Sequence, residues 1–537
     1  MRRFPKQHRW RVAVPGVAVI ALACAAAALA ATAHRTAGST LVVDNSFTLK
    51  TTDPQRAFDP TGSIIDRAIY DTLFTYNKGD LAHPIPSLVK SWKATNGAKT
   101  FVFNLRTNVH FANGDPLTSA DVVFSLNRLI NIKGNPSFLL AGITVKASGK
   151  YGVVMTSKTP AGQLPAILAN PSTGIVNSKL VKAHGGTSAA NASTKDKAEN
   201  FLNSSSAAGE GSGPYELSSY SPTTQVTLKR NPNYWGAQKP GFDTVVVRNM
   251  VAATQLINVG RGSHEIAIDL ASDQAQTLKS NSHVKVSLQP STWVFWLFAN
   301  NDPTVSAVTS NKSWQNAVRF GLNYKSILSV AGPGAYQTPG LIPSMFLGAL
   351  PAKDAVKQDV AKAKAALQAS GQSSQSVTLE YPSDLTINGV PFTTLAQKVQ
   401  ANLQSIGINV QLSGSPTSTW LTSYRSGKMA FGLSLWGPDY PDPADYLAFA
   451  PGQLVGLRAG WAKGSSPAIE KTATAAAVAT DPAKRKALFQ QFQQQLNQSG
   501  PYFPLMQPTQ VFVSTSDLKN AVYNAVYSID VTKVSPK

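Results

Sequence analysis

The residues best suited to chemistry lie close together. The run Trp436-Gly-Pro-Asp439-Tyr440-Pro-Asp442-Pro-Ala-Asp445-Tyr446 holds three carboxylates, two tyrosines and a tryptophan, with no Lys or Arg. The chain around it is basic, with a formal net charge of +21 over 537 residues. Carboxylates beside aromatic rings suit a small cation: the acid supplies the opposite charge, and ring faces attract cations. The run follows Leu433-Ser-Leu, which alternates as a strand and breaks at Gly437-Pro438. A strand would therefore deliver a rigid, proline-rich loop whose acids grip a cationic group on a solute. Asp442 and Asp445 also suit turn and cap roles.

Other chemistries find little support. The histidines are His8, His34, His83, His110, His184, His264 and His283, none paired at metal spacing and none after 283. Asp439-x-x-Asp442-x-x-Asp445 lacks the glycine and glutamate of a calcium loop. Paired carboxylates could serve a glycosidase, yet the chain has no nucleophile elbow and no phosphate-cradling glycine loop. Neither metal nor other cofactor is expected, and the expected role is binding rather than catalysis. Turnover separates the two, because a binding protein returns its ligand unchanged. Lys and Arg are scattered without blocks or zinc spacing, which argues against nucleic acid.

The N-terminus reads as an export signal. Met1–Arg11 is basic, Val12–Ala33 is apolar and Ala-rich, and Ala31-Thr-Ala33 ends it as a small-residue cleavage site. The expectation is a signal peptide over 1–33 and an exported protein of the cell envelope. Retention as an anchor, or lipidation at Cys24 after Ala21-Leu-Ala, are the alternatives. Cys24 is the sole cysteine, so a chain cleaved at Ala33 has no disulfide and no thiol nucleophile.

The elements that must position the loop are legible in part. Leu41-Val-Val43, Phe101–Leu105, two strands within Tyr215–Leu228, Asp243–Val251 and Val511–Val513 read as strands. Thr292–Ala299 is apolar throughout, as in a buried central strand. Helical spacing appears over 64–74, after a turn at Phe58-Asp59-Pro60. It recurs after a capping-box pattern at Thr118–Asp121, over 252–259, over 392–406 before Gly407, and around Leu488–Leu496. Residues 184–213, rich in Gly, Ser, Ala and Asn, read as a mobile loop or junction. Helix-to-strand units such as 392–412 imply α/β layers.

Several ordered blocks carry a family resemblance. Ser91-Trp92, Phe101–Arg106 and Val109-His-Phe-Ala-Asn-Gly-Asp-Pro-Leu-Thr-Ser-Ala-Asp121-Val-Val-Phe-Ser-Leu126 resemble the signature segment of extracytoplasmic solute-binding proteins of the peptide/nickel class, which serve ABC importers. Gly213-Pro-Tyr215, Leu228–Trp235, Asn316–Tyr324, Gly340–Pro343, Ala361–Gly371 and Leu403–Gly407 are similar to later blocks, in order. Departures are Gln315-Asn316-Ala317 in place of Arg-Gln-Ala, and Gly262-Ser-His-Glu265-Ile in place of Gly-x-x-Asp-Ile. The resemblance covers about 40–537.

It implies a bilobed, mixed α/β fold of the type II periplasmic-binding-protein kind with an additional inserted lobe. Lobe I would comprise 39–60, 210–288 and 505–537, the inserted lobe 61–209, and the opposing lobe 289–504. A short peptide would be enclosed between lobes and delivered to an ABC permease by a monomeric protein. An oligosaccharide, an opine or a chelated metal are other solutes the class admits. The missing late histidine counts against direct nickel–histidine ligation. In peptide binders of the class a Trp-x-x-Asp element sets its aspartate on the ligand α-ammonium; Trp436-Gly-Pro-Asp439 matches it. Asp439 is thus the expected anchor, Trp436 a wall and Tyr440 a neighbour. Trp420 and Arg425 occupy a segment where the class lines its cleft, though a core tryptophan and a surface arginine fit equally. Phe295 and Trp296 are strand neighbours facing opposite ways, so at most one lines the cleft. Tyr502, near the second expected hinge crossing, completes the candidates.

Overall fold

The computed structural model describes residues 39–537. The expected signal, its cleavage site and Cys24 lie outside the described residues. Among the described residues, no helix is long and apolar enough to cross a membrane.

Three sheets organise the chain. The largest has seven strands, ordered Val284–Pro290, Thr509–Thr515, Glu265–Ala267, Thr40–Asn45, Thr244–Asn249, Gln225–Arg230 and Tyr215–Tyr220. Thr40–Asn45 runs parallel to both of its neighbours, so Asn45 and Ala267 end side by side. A five-stranded sheet holds Asn409–Ser415, Ser376–Pro382, Phe431–Trp436, Val294–Ala299 and Tyr502–Met506, in that order. The third sheet, Val89–Thr95, Thr100–Leu105, Gly152–Ser157 and Ile143–Ala147, is antiparallel throughout. The boundary expected at 504/505 falls inside Tyr502–Met506.

Val294–Ala299 shows why the five-stranded sheet forms as it does. All six residues are buried, and the strand lies between two neighbours with both faces covered. Val294, Trp296 and Phe298 enter one apolar core; Phe295, Leu297 and Ala299 enter another. The alternation follows from the two-residue period of a strand. Neither Phe295 nor Trp296 reaches a cleft, which corrects the expectation for Trp296. Its ring packs edge-on against Phe449 and Tyr502, at 5.2 and 5.4 Å.

The chain passes between the two larger sheets twice, at Ser291–Trp293 and at Gln507–Pro508. The crossings are tied to each other: Ser291 N donates to the Pro508 carbonyl at 2.9 Å, and Gln507 Nε2 to the Ser291 carbonyl at 2.6 Å.

Two local expectations change. The first helix is Pro60–Ile69, not 64–74: Asp59 accepts from Gly62 N at its start and Pro60 fills the first turn. Residues 184–213 are not a mobile junction. They form short helical turns, Ala192–Lys195, Glu199–Leu202 and Ser205–Ala207, pinned by a buried ion centre. Within it Arg128, on helix Ser119–Ile132, donates to Asp53 at 2.6 and 2.7 Å and to Asp196 at 2.8 Å through two nitrogens. A fully buried guanidinium is tolerated here because two carboxylates neutralise it. Arg128→Met leaves Arg56 as the only cation paired with both acids among the described residues, and should cost about 3 kcal/mol. Urea unfolding checks this; a loss under about 1 kcal/mol would contradict the account.

Candidate functional site

A cavity of about 810 Å³ opens where the carboxyl ends of the parallel strands face the loop after Phe431–Trp436. Asn45 and Ser46 follow one strand and Ile268–Ala271 another; both line the cavity. Ligands favour the carboxyl ends of parallel strands, where backbone polar groups and loops converge. Gly437–Pro441 forms the opposite wall.

The three loop carboxylates have different partners. Asp442 caps the turn Pro443–Phe449, accepting from Ala444 N at 2.9 Å, and pairs twice with Arg485 at 2.7 and 3.0 Å. Asp445 accepts from the Trp436 indole at 2.8 Å and from Asp439 N at 3.3 Å. Asp439 itself lines the cavity, and among the described residues no donor or cation reaches its carboxylate. Its carbonyl accepts from Asn170 Nδ2 at 3.3 Å, which fixes the loop across the cleft. Burial pushes the Asp439 carboxyl up to about 6. Burial also raises Asp445 strongly, and the charge of Asp439 adds to it. An acid in this state is costly to ionise, and an incoming cation would relieve that cost.

The candidate residues are not all brought together. Asp439 and Tyr440 line the cavity. Trp436 stands behind them rather than on the wall, holding Asp445 and packing edge-on against Phe449 at 5.5 Å. Trp420 and Tyr502 are buried in the same aromatic core as Trp296, so the cleft role expected of them is corrected to packing. The Tyr502 hydroxyl is satisfied internally, donating to the Phe449 carbonyl at 3.1 Å. Arg425 is exposed at the end of helix Thr417–Arg425 and lies outside the cavity lining. Reading the sequence missed Asp59, Asp269 and Trp293, which do line it. The signal for Asp269 was its place just after Glu265–Ala267; that this strand pairs in parallel with Thr40–Asn45 is a tertiary fact.

A hairpin closes one side. Thr386–Ile387 and Val390–Pro391 pair through Asn388-Gly389, both at positive φ (50° and 76°), as an Asn-Gly turn requires. Its Asn388 amide donates to Gln510 Oε1 of the seven-stranded sheet at 2.9 Å. A metal centre is not formed: among the described residues, no three or more His, Cys, Asp or Glu are placed to hold an ion.

A profile of the bacterial extracellular solute-binding proteins, family 5 (middle region), matches residues 83–453. The chain belongs to that family. As a family 5 protein it is a bacterial extracellular solute-binding protein. It is 27% identical over 499 residues to the probable D,D-dipeptide-binding periplasmic protein DdpA of Escherichia coli K12, covering 90% of this chain and 91% of that one. It is 24% identical over 507 residues to the periplasmic oligopeptide-binding protein OppA of the same organism, covering 87% and 86%. Its fold matches DppA of Helicobacter pylori in complex with the peptide STSA, with a TM-score of 0.72 and 21% identity over 93% of this chain and 98% of that one. It also matches AgaA of A. tumefaciens R10 in complex with agropinic acid, with a TM-score of 0.70 and 20% identity over 93% and 99%. These relatives are named as binding proteins, and three as periplasmic.

The raised Asp439 carboxyl has a stability consequence. The folded chain holds that proton more tightly than the unfolded chain does. The group's contribution is therefore most favourable below the ordinary carboxylate value near 3.9, and is lost as pH rises through about 6. Ligand-free Asp439→Asn should be more stable than the parent at pH 7 and converge with it near pH 4. Urea midpoints across that range check this; a difference independent of pH would contradict it.

Proposed function

We propose that this protein captures short peptides in the cavity, anchors their α-ammonium on Asp439, and delivers them to the permease of an ABC importer on the outer face of the membrane. One observation carries the reading. Among the described residues, Asp439 is a desolvated, unpartnered carboxylate on the wall of a cavity that no Lys, Arg or His lines. A desolvated acid poised near pH 6 gains its counter-ion from the solute, and ionises fully when an ammonium arrives. The 810 Å³ volume lies within the roughly 300–1,000 Å³ span of small-molecule sites. Asn45, Thr292, Asn388 and Gln510 supply side-chain donors and acceptors for a peptide main chain. Specificity would then rest on main-chain bonds rather than on one side-chain pocket.

Capture works by closure of the two larger sheets about the paired crossings at Ser291–Trp293 and Gln507–Pro508. The Asn170–Asp439 and Asn388–Gln510 bonds span the cleft and belong to the closed state. A solute touching both walls favours that state through contacts the open state lacks. The N-terminal segment directs export.

Mass spectrometry of solute co-purified with the native protein should identify peptides with free N-termini. Asp439→Asn should weaken their binding by about two orders of magnitude or more. N-acetylated forms should bind correspondingly worse, because acetylation removes the ammonium charge. Equal calorimetric affinity for free and acetylated peptides would sink the anchor.

A further inference from the structure

The cavity carries charge of one sign on both walls. Asp439 stands on the loop wall. Asp59 and Asp269 stand on the wall built by the seven-stranded sheet and the helix Pro60–Ile69. Among the described residues, these three are the charged ones of the lining. The two on the sheet side are not equivalent. Asp59 is engaged as a helix cap: it accepts from Gly62 N at 2.8 Å, sits against the positive end of the helix, and feels the charge of Lys50. Asp269 is held by neutral donors only, Ser46 N and Gln255 Nε2 (3.3 Å), and forms no ion pair. Burial raises its carboxyl against those bonds, so that, like Asp439, it gains from an incoming cation.

A zwitterionic solute fits this lining poorly at one end. Its ammonium finds Asp439, but its carboxylate meets no Lys, Arg, His or described cation on the wall. A carboxylate set into a low-dielectric cavity beside fixed acids is repelled. A second cation is attracted by the same field.

Resting on the peptide reading above, we propose that the solute is a basic peptide, with its α-ammonium on Asp439 and a Lys or Arg side chain on Asp269, and with no demand for a free C-terminal carboxylate. The apolar neighbours Ile268 and Leu270 would flank the alkyl stem of such a side chain, as long basic residues bury their methylenes. Acidic peptides are excluded by charge on both walls.

Calorimetry of the ligand-free full chain at pH 7 tests this with Ala-Ala-Ala, Ala-Lys-Ala, Ala-Glu-Ala and C-terminally amidated Ala-Lys-Ala. Ala-Lys-Ala should bind at least about tenfold tighter than Ala-Ala-Ala, as a charge-assisted contact implies. Ala-Glu-Ala should bind weaker than both, and amidation should not weaken Ala-Lys-Ala. In Asp269→Asn the Lys-to-Ala affinity ratio should collapse below about threefold. That ratio is insensitive to a uniform loss of folded protein, and the asparagine keeps an acceptor for Ser46 N. Equal binding of all tripeptides, or a Lys preference intact in Asp269→Asn, overturns the basic-peptide inference while leaving the peptide reading in place. A linear diamine that binds where no tripeptide does, and loses affinity in Asp269→Asn, overturns the peptide reading and supports the two-cation site. Binding of neither class overturns both.

Discussion

An ionisable group withdrawn from water must find a partner or give up its charge, and this constraint sorts the acidic loop. Arg485 satisfies Asp442, and the Trp436 indole with a backbone amide satisfies one oxygen of Asp445. Asp439 receives neither, so burial raises its carboxyl to about 6. The partners given to the first two acids hold the loop in the shape that leaves the third free. The aromatic core beneath serves the same end. Phe449 touches Trp296, Trp436 and Tyr502, joining the central strand, the loop and the last strand of the five-stranded sheet. A poised charge requires a support that does not yield, and these rings supply it.

The cavity lies where the two larger sheets meet beside the paired chain crossings. On one side, parallel strands end at Asn45 and Ala267 and leave polar loops there. On the other, the strand Phe431–Trp436 ends and gives way to the loop at Gly437-Pro438. Cross-cleft bonds from Asn170 and Asn388 use side-chain amides, which bind without burying a charge. Such contacts are individually worth only about 0.5–1.5 kcal/mol net. The strong buried ion pairs of Arg128 with Asp53 and Asp196 involve none of the residues that line the cavity.

Much of the architecture was legible in the residues. The helix over 392–404, the middle of the helix 482–499 around Leu488–Leu496, and the all-buried strand 294–299 follow from apolar spacing. The family resemblance supplied the fold and pointed to Asp439. What failed did so for physical reasons. Aromatic residues near a cleft look the same in sequence whether they face it or support it, so Trp296, Trp420 and Tyr502 were misplaced. Gly- and Ser-rich composition at 184–213 suggested mobility, because the ion pair that orders Asp196 comes from a helix 68 residues away. Asp269 became visible only once two strands distant in sequence were seen to pair.

The account turns on Asp439 meeting a cation. Carbon-13 NMR titration of its side-chain carboxyl, in free protein and in saturated complexes, measures that directly. The carboxyl should titrate near 6 in the free protein, fall below about 4 with a free-amine peptide, and stay near 6 with any N-acetylated peptide that binds. A carboxyl that still titrates near 6 in the saturated free-amine complex would contradict the central claim.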